Sequence, residues 1–158
     1  VGFAFDTIEE TLSAAQISAE ITHNHPEGIK GAQATAAAIF MARKGKTKSE
    51  IKEYISHFFG YDLSYTCDDI RGSYRFEASC QETVPQSLAA FFDSKDYEDA
   101  IRLTISLGGD ADTMGAITGA IAAAYYKEIP DNIYDFTLDK LPEDLRIIVE
   151  EFEEKYTL

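Results

Sequence analysis

Apolar positions recur along most of this chain at spacings of three and four, the period of an α-helix with one buried face. Ile8, Leu12, Ala15 and Ala19 share such a face, and Asp6 with Glu9 before them has the spacing of a capping box. This helix is predicted to end near Thr22, leaving His23 at a helix end or in the following loop. Pro26 suits the first turn of a second helix, which runs through the small-residue stretch 32–40 and is closed by Arg43, Lys44 and Gly45. Thr47 and Glu50 form another capping-box pair, and Gly60 is placed to stop the helix they open. Residues 61–82 are the least regular and admit short extended pieces. Helical spacing returns over 84–92, with Pro85 allowed in the first turn. It continues over 96–107, where Ala100, Leu103 and Leu107 face the core, and again over 112–126. In that last span Gly115, Gly119 and Ala123, beside Ala116 and Ala120, make a face poor in side chains that lets a neighbouring helix approach closely. Residues 127–141 read as a connection. Pro142 then begins an acidic terminal helix with Leu145, Ile148, Val149 and Phe152 on its apolar side. No repeat or domain break interrupts the pattern, so residues 1–158 are expected to form a single all-α domain, or the larger part of one.

The densest chemistry lies at the head of the 112–126 helix, in Gly108-Gly109-Asp110-Ala111-Asp112-Thr113. Two residues apart on one helix, Asp110 and Asp112 would point to different sides. They converge only if Asp110 precedes the helix, in backbone that Gly108 and Gly109 leave free to bend. Carboxylates and a hydroxyl brought together this way are hard oxygen donors, suited to Mg²⁺, Mn²⁺ or Ca²⁺ and not to zinc. The same side chains also suit a helix start, where Asp112 or Thr113 would satisfy free backbone N–H groups. The residues alone leave both readings standing.

Other polar positions have simpler readings. Thr66-Cys67-Asp68-Asp69 reads as a turn or helix cap, the paired glutamates 150–151 and 153–154 as a solvated face, and His25 and His57 as structural histidines. Tyr125 and Tyr126, at a helix end, read as core or rim before they read as stacking partners for a base.

Composition narrows the field further. At 158 residues the chain can bury a sizeable core, and a hydrophobic content of 45% argues against disorder. The net charge of −14 opposes contact with nucleic-acid phosphates or anionic lipid. The spacing of Cys67 and Cys80 matches no zinc pattern, and two thiols in a chain this long suggest a reduced compartment, the cytoplasm. Gly115-x-x-x-Gly119 is a spacing also found in membrane helix pairs, but its apolar run is too short to span a bilayer.

Residues 106–113, running into Ala116-Ile117-Thr118-Gly119-Ala120-Ile121-Ala122-Ala123-Ala124-Tyr125-Tyr126, resemble the C-terminal signature of the ADP-ribosylglycohydrolases. Thr22-His23-Asn24-His25-Pro26, followed by Gly31-Ala32, resembles that family's T-H-x-H-P segment. Val84-Pro85-Gln86-Ser87-Leu88-Ala89-Ala90-Phe91 resembles its V-P-x-A-L-x-A-F helix, and Asp96-Tyr97-Glu98-Asp99-Ala100-Ile101 the run before the signature. The resemblance implies a compact multi-helix fold and a hydrolase that removes ADP-ribose from a modified protein side chain or a related conjugate. It further implies a site with two Mg²⁺ ions, or Mn²⁺, in which Asp110, Asp112 and Thr113 are metal ligands. In that site His23 contacts the ribose or a phosphate, and Gly108 and Gly109 allow backbone to approach the ligand. ADP-ribose or an ADP-ribosylated protein is the partner so implied. ADP-ribose is itself anionic, so a cleft in so acidic a protein would need metal ions or backbone N–H groups to hold it.

The sequence also departs from the family. Members open with a first helix containing glycine and acidic residues, then a Thr-Asp-Asp motif supplying the other half of the metal site, then a Gly-Asn-Gly-Ser-type loop, and none of these occurs here. Thr66-Cys67-Asp68-Asp69 does not replace the motif, because a cysteine intervenes and it follows the histidine segment. The expectation is therefore a C-terminal portion, its N-terminal helices missing, inactive by itself and able to associate with the missing segment or with itself. No general base is assigned. One alternative is a non-catalytic module that binds ADP-ribose or a protein. Another is a Mg²⁺-dependent phosphohydrolase, because D-x-D-T is similar to the D-x-D-x-T motif of haloacid-dehalogenase-like phosphatases. That motif follows a strand of a parallel sheet, and the helical spacing here argues against it.

Overall fold

The computed structural model describes residues 1–76 and 79–156. Among them the chain forms α1 (Ile8–Glu20), α2 (Pro26–Arg43), α3 (Lys48–Phe59), the single turn α4 (Cys67–Ile70), α5 (Cys80–Asp93), α6 (Tyr97–Ser106), α7 (Ala111–Tyr126), α8 (Asp131–Lys140) and α9 (Glu143–Lys155), with no strand. The all-α expectation holds. No helix among the described residues is long and apolar enough to cross a membrane.

Helices α2, α5 and α7 pack on one another and form the centre; α1 and α3 lie on α2, α6 on α5 and α7, and α4 on α5. The core is built from Ala34, Ala37, Ala38 and Ala42 of α2, Ile51, Ile55 and Phe59 of α3, Val84, Leu88 and Phe91 of α5, and Ile121, Ala122 and Ala124 of α7. Fully burying a side chain such as Ile51, Leu88 or Ile121 contributes about 1.5–3 kcal/mol each. Small residues set how closely the helices approach. A Cβ on Gly31 would stand 3.2 Å from both Cys80 and Val84 of α5, and one on Gly119 would stand 3.2 Å from Ile101 of α6. The side-chain-poor face of α7 is used only over part of its length: nothing lies within 4 Å of a Cβ at Gly115, and Ala116 is exposed. Among the buried hydroxyls, Thr118 donates to the Ser87 carbonyl across α7 and α5 (3.0 Å), Thr104 to Ala100 and Ser87 to Thr83 within their own helices, while the Tyr61 hydroxyl has no partner among the described residues.

Several boundaries differ from the pattern-based reading. The cap of α1 is one residue later: Thr7, with extended backbone, accepts the Glu10 N–H (3.2 Å), while exposed Asp6 pairs with Lys44 (3.6 Å). Thr47 and Glu50 do form a capping box, and Gly60 ends α3 in the left-handed region at φ +68°. Thr66 and Asp69 form another box, opening α4. The irregular stretch 61–82 therefore holds a helical turn, and residues 77 and 78 within it lie outside the described residues. Helix α5 begins at Cys80, so Pro85 sits beyond the first turn. The bond it cannot make would go to the carbonyl of Gln81, an exposed residue that water can serve. Residues 127–141 are more than a connection, because Pro130 starts α8 there. The apolar side of α9 is largely uncovered: Leu145 is 47% exposed, Ile148 60% and Phe152 41%.

Candidate functional site

The α6–α7 junction begins where α6 runs out. Leu107 caps α6, and Gly108 then takes φ +74°, a left-handed conformation that a side chain disfavours. Asp110 follows as the residue before α7, at φ −71° and ψ 78°, and its carbonyl accepts the Met114 N–H (2.9 Å). Asp110 is thus outside the helix and Asp112 in its first turn, the condition for their carboxyls to meet. They do meet: the Asp112 carboxyl is lowered from its ordinary value, first because Asp110 shares a hydrogen bond with it, then because the backbone N–H groups of Thr113 and of Asp112 itself donate to it. The Thr113 N–H reaches it at 3.0 Å. No side chain caps the α7 N–H groups in the usual way, so Asp112 serves its own turn while Asp110 does not cap. Asp110 is half-buried and Asp112 and Thr113 are exposed, placing three oxygen-bearing side chains at one accessible corner.

Only oxygen donors stand there, which suits a hard cation. Yet no group of three or more His, Cys, Asp or Glu side chains able to hold a metal ion occurs among the described residues. Asp110, Asp112 and Thr113 fit as part of a metal site and need further ligands to complete one.

His23 lies in the α1–α2 loop, exposed, with its N–H bonded to the Ala19 carbonyl (2.7 Å) and its Nδ1 paired with the Thr22 hydroxyl (2.8 Å). His23 borders a cleft of about 420 Å³ among α1, α2, α5 and α7, whose walls include Ala19, Gly28, Gly31, Val84 and Ile117. Gly28 is needed there, because a Cβ on it would come within 2.9 Å of the His23 carbonyl oxygen. The carboxylate corner does not line this cleft. The two adjoin through α7, where Ile117 stands one helical turn beyond Thr113.

The remaining candidates resolve structurally. His25 caps α2, its Nδ1 accepting the Glu27 N–H (3.2 Å), and His57 is exposed in the last turn of α3. Tyr126 bonds Ser94 and Lys48 at the far end of α7, and Tyr125 packs edge-on against Phe91. That end is about 22 Å from Asp110 along the helix. The part of Gly28 and Gly31 in shaping the cleft went unassigned at the level of sequence, although both fall in the segment after His23 where a close approach would show as glycine. Tyr74, whose ring lies on Gly109, comes from the irregular stretch and carries no periodic signal.

A family model described as ADP-ribosylglycohydrolase matches residues 1–157. An uncharacterised protein of Archaeoglobus fulgidus is 29% identical over 74% of this chain and 43% of its own length. ADP-ribosylhydrolase ARH3 of Homo sapiens is 24% identical over 98% of the chain and 52% of its own length. ADP-ribosyl-[dinitrogen reductase] glycohydrolase of Rhodospirillum rubrum is 25% identical over 68% and 36%. The chain spans about half or less of the length of these relatives.

Proposed function

Because this chain belongs to the ADP-ribosylglycohydrolase family, we propose that it carries one side of a site that hydrolyses the bond between ADP-ribose and a modified protein side chain or related conjugate. The observation that carries this reading is the meeting of the Asp110 and Asp112 carboxyls at the glycine turn before α7. In the complete site Asp110, Asp112 and the Thr113 hydroxyl would hold Mg²⁺ or Mn²⁺ together with ligands from outside this trio. When bound, a pair of such ions polarises water and holds ribose hydroxyls.

The protein's own groups have separate tasks. Asp110 and Asp112 would ligate what approaches α7, a bound cation taking the place of the proton they share. Gly108, where nothing lies within 4 Å of a Cβ, lets backbone come close to the ligand, while Gly109 is covered on its Cβ side by the Tyr74 ring. His23, on the rim of the cleft, donates or accepts at a ribose hydroxyl or phosphate. The first turn of α2, whose Gly28 lines the cleft, adds the positive end of a helix to a protein of net charge −14. In the reaction, water attacks C1″ as the bond from C1″ to the side-chain nitrogen or oxygen breaks. The hydroxyl ends on the ribose and the proton on the released side chain.

Calorimetric titration of ADP-ribose into the chain, with Mg²⁺ and then with EDTA, tests this reading. Mg²⁺-dependent binding that Asp112→Ala abolishes is expected. Binding that survives both EDTA and Asp112→Ala would instead identify a metal-free binding module.

A further inference from the structure

Tyr74 stands four residues beyond α4, its N–H bonded to the Ile70 carbonyl at 2.8 Å. Its ring occupies the space a side chain at position 109 would need: a Cβ on Gly109 would collide with Cε1 and lie 3.1 Å from Cζ. The same Cβ would be 3.0 Å from Sδ of Met114, in the first turn of α7, and the Tyr74 hydroxyl is 3.6 Å from that sulfur. Gly109 is thus held between an aromatic ring on one side and α7 on the other. The support beneath is firm. Met114 is completely buried in a small second core with Cys67, Ala90 and Leu107, around which Ile70, Tyr74 and Leu103 pack. Helix α4 is fastened to α5 in turn, the Cys67 N–H donating to the Asp93 carboxylate at 2.6 Å.

Two successive glycines have more backbone freedom than any other pair, and ordering each costs more than ordering alanine. No capping side chain pins the start of α7. Something else must select the single backbone path on which Asp110 stays outside the helix and meets Asp112. We infer that Tyr74 is a positioning residue for this carboxylate pair, its ring filling the space over Gly109 and confining the turn. The inference rests on the reading of Asp110 and Asp112 proposed above, but it makes a claim about the turn that can be measured without metal.

The experiment uses the 158-residue chain, with ¹⁵N relaxation for backbone order at residues 108–110 and Mn²⁺ binding followed by electron paramagnetic resonance. Tyr74→Ala is expected to lower the order parameters there from about 0.85 to below about 0.6. It should also weaken Mn²⁺ binding by about tenfold, the low end of what support behind metal ligands contributes. Tyr74→Phe, which keeps the ring, restores both. Tyr74→Leu, with an apolar filler for the small core, is expected to reproduce both losses should the alanine variant not fold. If the folded ring-less variant melts earlier yet keeps wild-type order at 108–110, Tyr74 is only a core residue and the inference is overturned. If the wild-type chain binds Mn²⁺ no better than Asp112→Ala, the metal reading fails by itself. The order parameters then decide about Tyr74, a loss sustaining its role and no change removing it.

Discussion

Cys67 is buried beside Met114 in the small core under α7. Its thiol is pushed up to about 12 by burial first, then by the Asp93 carboxylate, while Cys80 is half-buried and lines the cleft beside His23. A thiol reagent at pH 8 is therefore expected to label Cys80 in the native chain and Cys67 only after denaturation, as mass spectrometry of the labelled peptides would show. The reverse order would mean that the small core under α7 is open. Between the ordinary thiol value of 9.0 and about 12 the unfolded chain loses this proton and the folded chain keeps it, so stability falls as pH rises through that window. Cys67→Ser, a close steric match, should flatten that part of the pH–stability curve measured by urea unfolding. The reading of Asp110 and Asp112 was legible because a two-residue spacing on a helix has one geometric remedy, a break before Asp112, and two glycines stood there to supply it. Tyr74 was not legible. Its contact with Gly109 joins positions thirty-five apart through a stretch with no period, and nothing local to either residue announces the other.

At the scale of elements, caps and joints decide where helices stop, and these were the least legible part. The Thr47–Glu50 box and Gly60 were readable because their chemistry is complete within the sequence. Asp6–Glu9 and Thr7–Glu10 satisfy the same pattern in overlapping registers, and only the backbone at Thr7 chooses between them. Position 85 misled for a related reason: proline favours a first turn, but the burial of residues 83–91 against α2 and α7 outweighs one missing hydrogen bond to the exposed Gln81. Lys48 is a joint that no local motif predicts. It stands in the first turn of α3, and its ammonium donates to the carbonyls of Phe92 and Ser94 at the end of α5 and to the Tyr126 hydroxyl at the end of α7 (2.8 Å). It also lies over the rings of Phe91, Tyr125 and Tyr126. Burial lowers its pKa, opposed by Asp93 and Asp99, so holding the charge there has a cost. Lys48→Met removes that cost but takes the ammonium donor from the Phe92 carbonyl and from Ser94, whose carbonyl keeps only the Tyr126 hydroxyl (2.8 Å). Because hydrogen bonds to a charged group contribute about 1.5–3 kcal/mol each and desolvation offsets part of that, a net loss of about 1–2 kcal/mol is expected. Urea unfolding would measure it. An unchanged midpoint would show that water replaces the ammonium at no loss, and that α3 is joined to α5 and α7 by apolar contacts alone.

Over the whole molecule the packing is uneven. The accessible surface is 8928 Å², against roughly 7,900 Å² expected for a compact monomer of 17.5 kDa. The surplus has an identifiable source. Neither α8 nor α9 contains a buried residue, while α2, α5 and α7 each bury several along their length. What ties the terminal helices down is slight: Phe152 meets Phe3 edge-on at 6.0 Å, beside a cleft of about 520 Å³ lined by Ala123, Ile129, Ile148 and Val149, and the Tyr134 hydroxyl bonds Glu153 between α8 and α9. The apolar spacing of α9 was legible, but the sequence could not say how much of that face would be covered, because coverage depends on what lies opposite. Regions with few buried contacts open at a fraction of the global unfolding free energy. Hydrogen exchange should therefore fall into two classes, with amides of α8 and α9 exchanging fastest and those of α2, α5 and α7 slowest, the latter tracking global stability. Phe152→Ala should speed exchange in α9 and leave the slow class unchanged. If that substitution accelerates α2, α5 and α7 to the same degree, the terminal helices belong to one cooperative unit with the core. Their exposed faces would then be part of what holds His23 and the α7 carboxylates in place.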